Sequence, residues 1–167
     1  STIGSRKGTG VLVRLFRRNT SSETKREDIM PIVMACMSMS KQKVGALIVI
    51  EKNVGLTDII NSGDIINANI NQRLIENIFF KNSPLHDGAM IISHMRIKAA
   101  GCILPISHNT DIPKSLGLRH RAALGISQKS DCLAIIVSEE TGAISTAENG
   151  QFQLRLSAEE LARKLSQ

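Results

Sequence analysis

Continuous apolar runs and helical apolar spacings alternate along the chain. Two runs, 44–50 and 132–138, are almost entirely apolar and rich in β-branched residues, which is typical of strands buried on both faces. Shorter apolar runs and a Glu148-Asn149-Gly150 turn predict the remaining strands. These further strands are predicted at 89–92, 97–104, 143–146 and 151–156. The pair Ile65-Ile66 is also apolar but short.

Apolar positions that recur every three to four residues predict helices between these strands. They cover 29–40, 71–80 and 119–126, and a short helix is predicted after the first strand. The first helix is capped at Ser22 or Thr24, and Ser157 caps a last helix. The mixed order predicts one α/β domain with a central mixed β-sheet flanked by helices.

The charge is concentrated at the start of the chain. Of the net charge of +6, residues 1–27 carry +5 and residues 28–167 carry +1. We therefore divide the chain into a basic arm, 1–27, and a near-neutral domain, 28–167. A basic arm is compatible with a solvated linker, a segment beside an anionic membrane, or a nucleic-acid-binding segment.

Composition excludes several classes of protein. No apolar run approaches the roughly 20 residues of a membrane span, and residues 1–25 lack the apolar core of a signal peptide. Aromatic residues make up only 2% of the 167 residues, which disfavours stacking on single-stranded nucleic acid. The scattered Cys36, Cys102 and Cys132 are interpreted as buried free thiols.

A first polar cluster precedes the predicted strand at 89–92. His86, Asp87 and Gly88 lie there, and the glycine lets a ligand approach the backbone closely. Asp87 is suited to bind a divalent cation or to accept a proton. The alternative is an ordinary Asp-Gly turn.

Two further clusters carry opposite charges. Arg119, His120 and Arg121 begin a predicted helix, where positive charge opposes the helix dipole unless an anion such as phosphate is bound. Residues 138–142 follow a buried strand and combine adjacent carboxylates with a hydroxyl and free N–H groups, which suits a cation and phosphate. Solvated turns are the alternatives. Together the clusters indicate a nucleoside-triphosphate site without a P-loop or dinucleotide motif.

The three clusters resemble motifs of bacterial diadenylate cyclase domains. Residues 84–89, 118–123 and 137–142 are similar to the DGA, RHR and SEETG motifs, and the resemblance covers about residues 30–156. It is closest to the membrane-anchored class. It implies condensation of two ATP into cyclic di-AMP, a divalent cation (Mn²⁺, Mg²⁺ or Co²⁺), and a face-to-face homodimer. It also implies an N-terminal membrane anchor absent from this sequence, with this soluble part at the cytoplasmic face of the bacterial cell membrane and no nucleic-acid partner.

The resemblance also assigns roles to individual residues. Asp87 would deprotonate the 3′-hydroxyl and help to place the metal, with His86 and Glu140 as further candidate metal ligands. The catalytic, phosphate-facing motif would be Arg119, His120 and Arg121. The residues expected to contact ATP are Gly88, Ala89, Leu104, Leu118, Ser138 and Glu139.

Three positions depart from the family pattern. Leu118 replaces a common threonine, Gln128 replaces a common glutamate, and Ile103 stands where some members have an aromatic residue. The first two departures motivate an alternative function, a non-catalytic adenine-nucleotide sensor of the same fold. A third hypothesis is a nucleic-acid-binding module that uses the basic arm.

Overall fold

The structure is a computed structural model that describes residues 26–107 and 111–167. Most of the predicted arm, 1–27, therefore lies outside the described residues, as do the predicted caps Ser22 and Thr24. Residues 26 and 27 are already helical, so the helix includes two residues that the charge distribution assigned to the arm. Within the described ranges, no helix is long and apolar enough to cross a lipid bilayer.

Five helices and seven strands make up the described chain. The helices are 26–42 (α1), Thr57–Ser62 (α2), Gln72–Phe79 (α3), Leu118–Lys129 (α4) and Ala158–Ser166 (α5). The strands are Ala46–Ile50 (β1), Asp64–Asn69 (β2), Ala89–Ser93 (β3), Arg96–Cys102 (β4), Leu133–Val137 (β5), Ile144–Glu148 (β6) and Gln151–Gln153 (β7). They confirm the predicted class, a single α/β domain with a mixed sheet flanked by helices.

One seven-stranded sheet carries the fold, in the order β2-β4-β3-β1-β5-β6-β7. Strand β1 pairs in parallel with β3 and antiparallel with β5. The three are almost completely buried, which explains why their sequences are continuously apolar. Because of these directions, the starts of β1 and β3 and the end of β5 lie side by side at one end of the sheet.

Helices cover both faces of the sheet. Side chains of α1, α3 and α5 pack on one face, around Ile32, Ile75 and Leu161. On the other face, α4 packs with the segment that leads into α2, around Ala123 and Leu56. Successive residues of β1 alternate between the two cores, as the pleat of a strand requires.

The sequence patterns predicted the central strands of the sheet better than its edge strands. The short apolar pair Ile65-Ile66 belongs to the six-residue edge strand β2, which pairs with β4 through a bulge. Its side chains are mostly exposed, so it lacks the apolar alternation that would have indicated a strand. Strand β4 ends at Cys102 and leaves Leu104 outside it, while α4 extends to Lys129.

Helix α4 lies unusually close to the backbone that follows β4. A Cβ atom built on Gly125 would overlap the carbonyl oxygen of Pro105. The backbone N–H of Ser107 donates to the carbonyl of Arg121 on the same helix, at 3.1 Å. Gly125 therefore sets how closely α4, with the basic cluster at its start, approaches the rest of the domain.

We expect Gly125→Ala to lower the free energy of unfolding by about 1–3 kcal/mol, because overpacking forces the helix away from Pro105. In an exposed helix the same change would raise it by about 1 kcal/mol. Urea denaturation followed by circular dichroism measures the difference. Gln128→Ala, at an exposed position of α4, is the control and should be neutral within about 0.5 kcal/mol. A Gly125→Ala protein as stable as the parent would contradict the packing argument.

Candidate active site

A cleft of about 230 Å³ opens at the end of the sheet where β1 and β3 begin and β5 ends. All three polar clusters contribute to it, although they are far apart in the sequence. Its lining residues are Asp87, Ser115, Gly117, Leu118, Arg119, His120, Val137, Ser138, Glu139 and Glu140. No role was predicted for Ser115, Gly117 and Val137. Ser115 and Gly117 lie just before a predicted helix, which is the one signal that could have indicated them.

Asp87 reaches the cleft from the turn that leads into β3. The following Gly88 has a φ of +119°, a backbone conformation that side chains rarely adopt. A Cβ atom on Gly88 would also lie 2.8 Å from the carbonyl carbon of Gly101 on β4. Glycine at this position therefore lets the turn rest on β4 and holds the exposed Asp87 carboxylate at the cleft.

Several predicted site residues near Asp87 do not line the cleft. His86 lies outside the cleft lining, and its Nδ1 is 2.6 Å from the carbonyl oxygen of Ser83, to which it donates. Gly88, Ala89 and Leu104, predicted to contact ATP, also lie outside the lining. Ala89 and Leu104 are buried in the core beneath α4.

Arg119 provides positive charge in the cleft. Its Nη1 lies 3.6 Å from Oε2 of Glu139, whose side chain is 61% exposed, so this ion pair is weak. Its Nε is buried and has no hydrogen-bond partner within the described residues. A buried donor left unpaired costs about 1–3 kcal/mol, so this guanidinium has capacity for an anionic partner.

His120 is buried at the inner side of the cleft. Its ring meets Phe152 edge to face, with centroids 6.2 Å apart. Burial lowers the pKa of His120, the neighbouring Arg119 lowers it further, and Glu140 partly opposes both. The ring is therefore neutral near pH 7 and does not add the positive charge that the sequence motif suggested.

Arg121 does not line the cleft. Its backbone N–H donates to Gly117 and its carbonyl accepts from Ser107, while its half-buried side chain has other interactions. The phosphate-facing role of Arg121 stays a prediction. Two residues along an α-helix turn the side chain by about 200°, which directs Arg121 away from the side of the helix that carries Arg119.

The turn after β5 is held by its own hydrogen bonds. Ser138 Oγ accepts from the backbone N–H groups of Glu140 and Thr141, both at 3.2 Å. The N–H of Gly142 donates to the Ser138 carbonyl at 2.9 Å. These groups are therefore not free for phosphate, contrary to expectation, although the Ser138 hydroxyl keeps its own proton to donate.

The described residues contain no group of three His, Cys, Asp or Glu side chains that could hold a metal ion. The predicted ligands Asp87, His86 and Glu140 are thus not gathered into a ready-made site, because His86 is directed to Ser83. Asp87, Glu139 and Glu140 nevertheless line one cleft. Carboxylate oxygens suit Mg²⁺ or Mn²⁺, and phosphate oxygens of a nucleotide would complete the coordination.

Comparison with known proteins places the same residues in a family context. Residues 33–152 match the DAC family model, described as "DisA bacterial checkpoint controller nucleotide-binding". The chain is 45% identical, over 91% of its length, to the cyclic di-AMP synthase CdaA of Bacillus subtilis, 56% of which is covered. It is 46% identical, over 76% of its length, to the diadenylate cyclase of Listeria monocytogenes, 46% of which is covered. The chain thus spans about half the length of these curated relatives.

Two solved structures are similar to this chain in both fold and sequence. A double mutant of DacA from Staphylococcus aureus superposes with a TM-score of 0.83 at 46% identity, covering 84% of this chain and 93% of that one. A Bacillus cereus protein described as membrane-spanning superposes with a TM-score of 0.74 at 43% identity, covering 77% of this chain and 63% of that one.

The lowered pKa of His120 predicts a pH-dependent stability. Because the pKa in the folded state lies below the unfolded value of about 6.5, the unfolded state binds more protons as the pH falls. This contribution to the free energy of unfolding is complete above about pH 6.5 and is lost as the pH falls through the folded-state pKa. Urea denaturation across this range measures it. We expect His120→Gln to flatten the dependence of the free energy of unfolding on pH. Equal slopes for the parent and the variant would contradict this prediction.

Proposed function

Because the chain belongs to the diadenylate cyclase family, we propose that it condenses two ATP molecules into cyclic di-AMP and releases two pyrophosphates. The observation that carries the proposal is the meeting of Asp87, Arg119 and Ser138 in one cleft. In each half-reaction a 3′-hydroxyl attacks the α-phosphorus of the other ATP. A new P–O bond forms, the bond to the β-phosphate breaks, and the hydroxyl proton must be removed.

The cleft residues divide this work between them. Arg119 binds phosphate oxygens, since its guanidinium is only weakly paired with Glu139. The Ser138 hydroxyl donates to a second phosphate oxygen. Asp87 is exposed and reaches the cleft, which supports its role as acceptor of the 3′-hydroxyl proton. His120 is buried at the inner side of the cleft, where its ring packs on Phe152 and shapes the floor.

We also propose that a divalent cation (Mn²⁺, Mg²⁺ or Co²⁺) accompanies the nucleotide. Asp87 and Glu140 would hold it together with the phosphates, and Glu139 is a further oxygen donor at the same cleft. His86 could join only if its ring turned away from Ser83. When bound, such an ion neutralises phosphate charge and lowers the pKa of a coordinated hydroxyl.

Two copies of the domain are needed for this reaction, because one cleft presents one nucleotide and the attacking 3′-hydroxyl belongs to the other. The position of the cleft, on the surface at the ends of the central strands, supports a face-to-face homodimer in which two clefts meet. Leu118, which is 71% exposed and lines the cleft, offers an apolar surface to a partner copy.

Attachment of the full-length protein to the cytoplasmic face of a bacterial membrane is a further proposal. It is supported by the charge of +5 on residues 1–27 and by the relative described as membrane-spanning.

A non-catalytic adenine-nucleotide sensor is the second candidate. Leu118 favours it, because a side chain without a hydroxyl lines the cleft where many family members have threonine. Gln128 favours it less, since that residue lies near the other end of α4 and outside the lining. Turnover of ATP distinguishes the two functions.

We expect the protein to convert ATP to cyclic di-AMP with Mn²⁺, and Asp87→Asn to reduce the rate by about 10²- to 10⁴-fold, because the proton acceptor is lost. Chromatographic detection of the product measures both. Asp58→Asn, at an exposed position of α2, is the matched control and should retain full activity. A chelator should abolish the product, and excess Mn²⁺ should restore it.

ATP that binds but is never converted would support the sensor instead. Full activity of Asp87→Asn would remove Asp87 from the mechanism.

The homodimer predicts a steep dependence on protein concentration. We expect the rate to rise faster than linearly with enzyme concentration while the dimer forms, because a monomer carries only half of the reacting pair. An initial-rate series at saturating ATP and metal measures the order. A strictly linear rate over a range in which light scattering shows only monomer would contradict the dimer.

A further inference from the structure

Gly45, the residue before β1, lies directly against the guanidinium of Arg119. A Cβ atom built on this buried glycine would lie 2.5 Å from Nη1, 2.7 Å from Cζ and 3.1 Å from Nη2. The first two distances are shorter than real Cβ contacts. The guanidinium therefore occupies the space that any side chain at position 45 would need.

The backbone itself does not require glycine at this position. Gly45 is absent from the glycines with positive φ, which are Gly88, Gly101, Gly142 and Gly150. An alanine could adopt the same conformation, so the need at position 45 is for space. The atoms in the way belong to the flexible end of one side chain, so the fold can accept a Cβ atom if Arg119 moves.

Gly45 directly precedes β1, at the end of the sheet where the cleft lies. Strand β1 pairs Ile48 with Met90 in parallel and Ala46 with Val137 antiparallel. The antiparallel register, continued by one residue, brings Gly45 opposite Ser138. Arg119, which rests on Gly45, lines the same cleft as Ser138 and Asp87.

Contacts other than Gly45 hold the guanidinium weakly. The pair with Glu139 is 3.6 Å long and largely exposed on the glutamate side, and Nε has no partner within the described residues. Because these polar contacts are weak, close packing on the Gly45 backbone restrains the orientation of the planar guanidinium. Orientation matters because arginine binds phosphate through a fixed fork of donors.

We propose that Gly45 is a positioning residue for phosphate recognition. It acts through Arg119. Because Gly45 has no side chain, the guanidinium can lie at this end of the sheet, directed at the triphosphate of the nucleotide. This inference rests on the proposed function for the identity of the ligand. The placement of Arg119 by Gly45 stands on the geometry alone, so the two parts are tested separately.

The first test measures ATP binding by Gly45→Ala with isothermal titration calorimetry in Mn²⁺. We expect affinity to fall at least roughly tenfold, as for loss of one charge-assisted hydrogen bond, while the thermal midpoint stays within about 2 °C. Gly55→Ala is the matched control, because a Cβ atom there would meet only Thr57 Oγ1 at 4.0 Å. Its affinity should be unchanged.

A double variant separates positioning from a general defect. In an Arg119→Ala background, Gly45→Ala should cause no further loss of affinity, because the group that it displaces is gone. An equal further loss in that background would overturn the proposal. Should Gly45→Ala alone unfold the protein, Arg119→Ala should restore the thermal midpoint by freeing the space; failure to restore it would also overturn the proposal.

A third readout requires no ATP. The buried Arg119 Nε–H should give a slowly exchanging ¹⁵N signal, identified by its absence in Arg119→Ala. We expect Gly45→Ala to shift this signal and to speed its exchange with water at least roughly tenfold, and Gly55→Ala to leave it unchanged. An unshifted signal in Gly45→Ala would overturn the placement. If the parent protein binds no ATP, the proposed function fails, and this signal alone decides the role of Gly45.

Discussion

Burial of three adjacent strands on both faces is the constraint on which the rest of the structure depends. Strands β3, β1 and β5 lie in the middle of the sheet with a helical layer on each side, so hardly any of their side chains can be polar. Polar chemistry is thereby confined to the strand ends. Because β1 is parallel to β3 and antiparallel to β5, the strand ends next to Gly45, Asp87 and Ser138 lie at the same end of the sheet.

This constraint also explains how far the sequence predicted the fold. A strand buried on both faces is continuously apolar, so β1 and β5 stand out from the sequence. The edge strand β2 has mostly exposed side chains, and nothing in its pattern distinguishes it from a loop. Strand order was not predictable from these patterns, because it depends on pairings between distant segments, such as β1 with β5, that no local spacing encodes.

The structure brings part of the predicted site residues together in one cleft and leaves others, such as Leu104, outside it. Asp87, Arg119 and Ser138 could be singled out because polar residues interrupt apolar runs there. Helical geometry then separates Arg121 from Arg119, and burial keeps His120 neutral. The role of Gly45 could not be anticipated. Glycine is usually interpreted through its own backbone, whereas here it matters because a distant arginine fills the space beside it.

The charges of the cleft link nucleotide binding to metal binding. One guanidinium, Arg119, faces three carboxylates, those of Asp87, Glu139 and Glu140, and the remaining basic candidate of the lining, His120, is neutral. A triphosphate entering such a site meets more negative than positive charge, which disfavours binding unless cations enter with it. Conversely, Asp87, Glu139 and Glu140 offer carboxylate oxygens to a cation, and phosphate oxygens and water would complete its coordination. A bound cation would thus offset the negative charge of the lining, and Arg119 is the fixed positive charge beside which both ligands would bind.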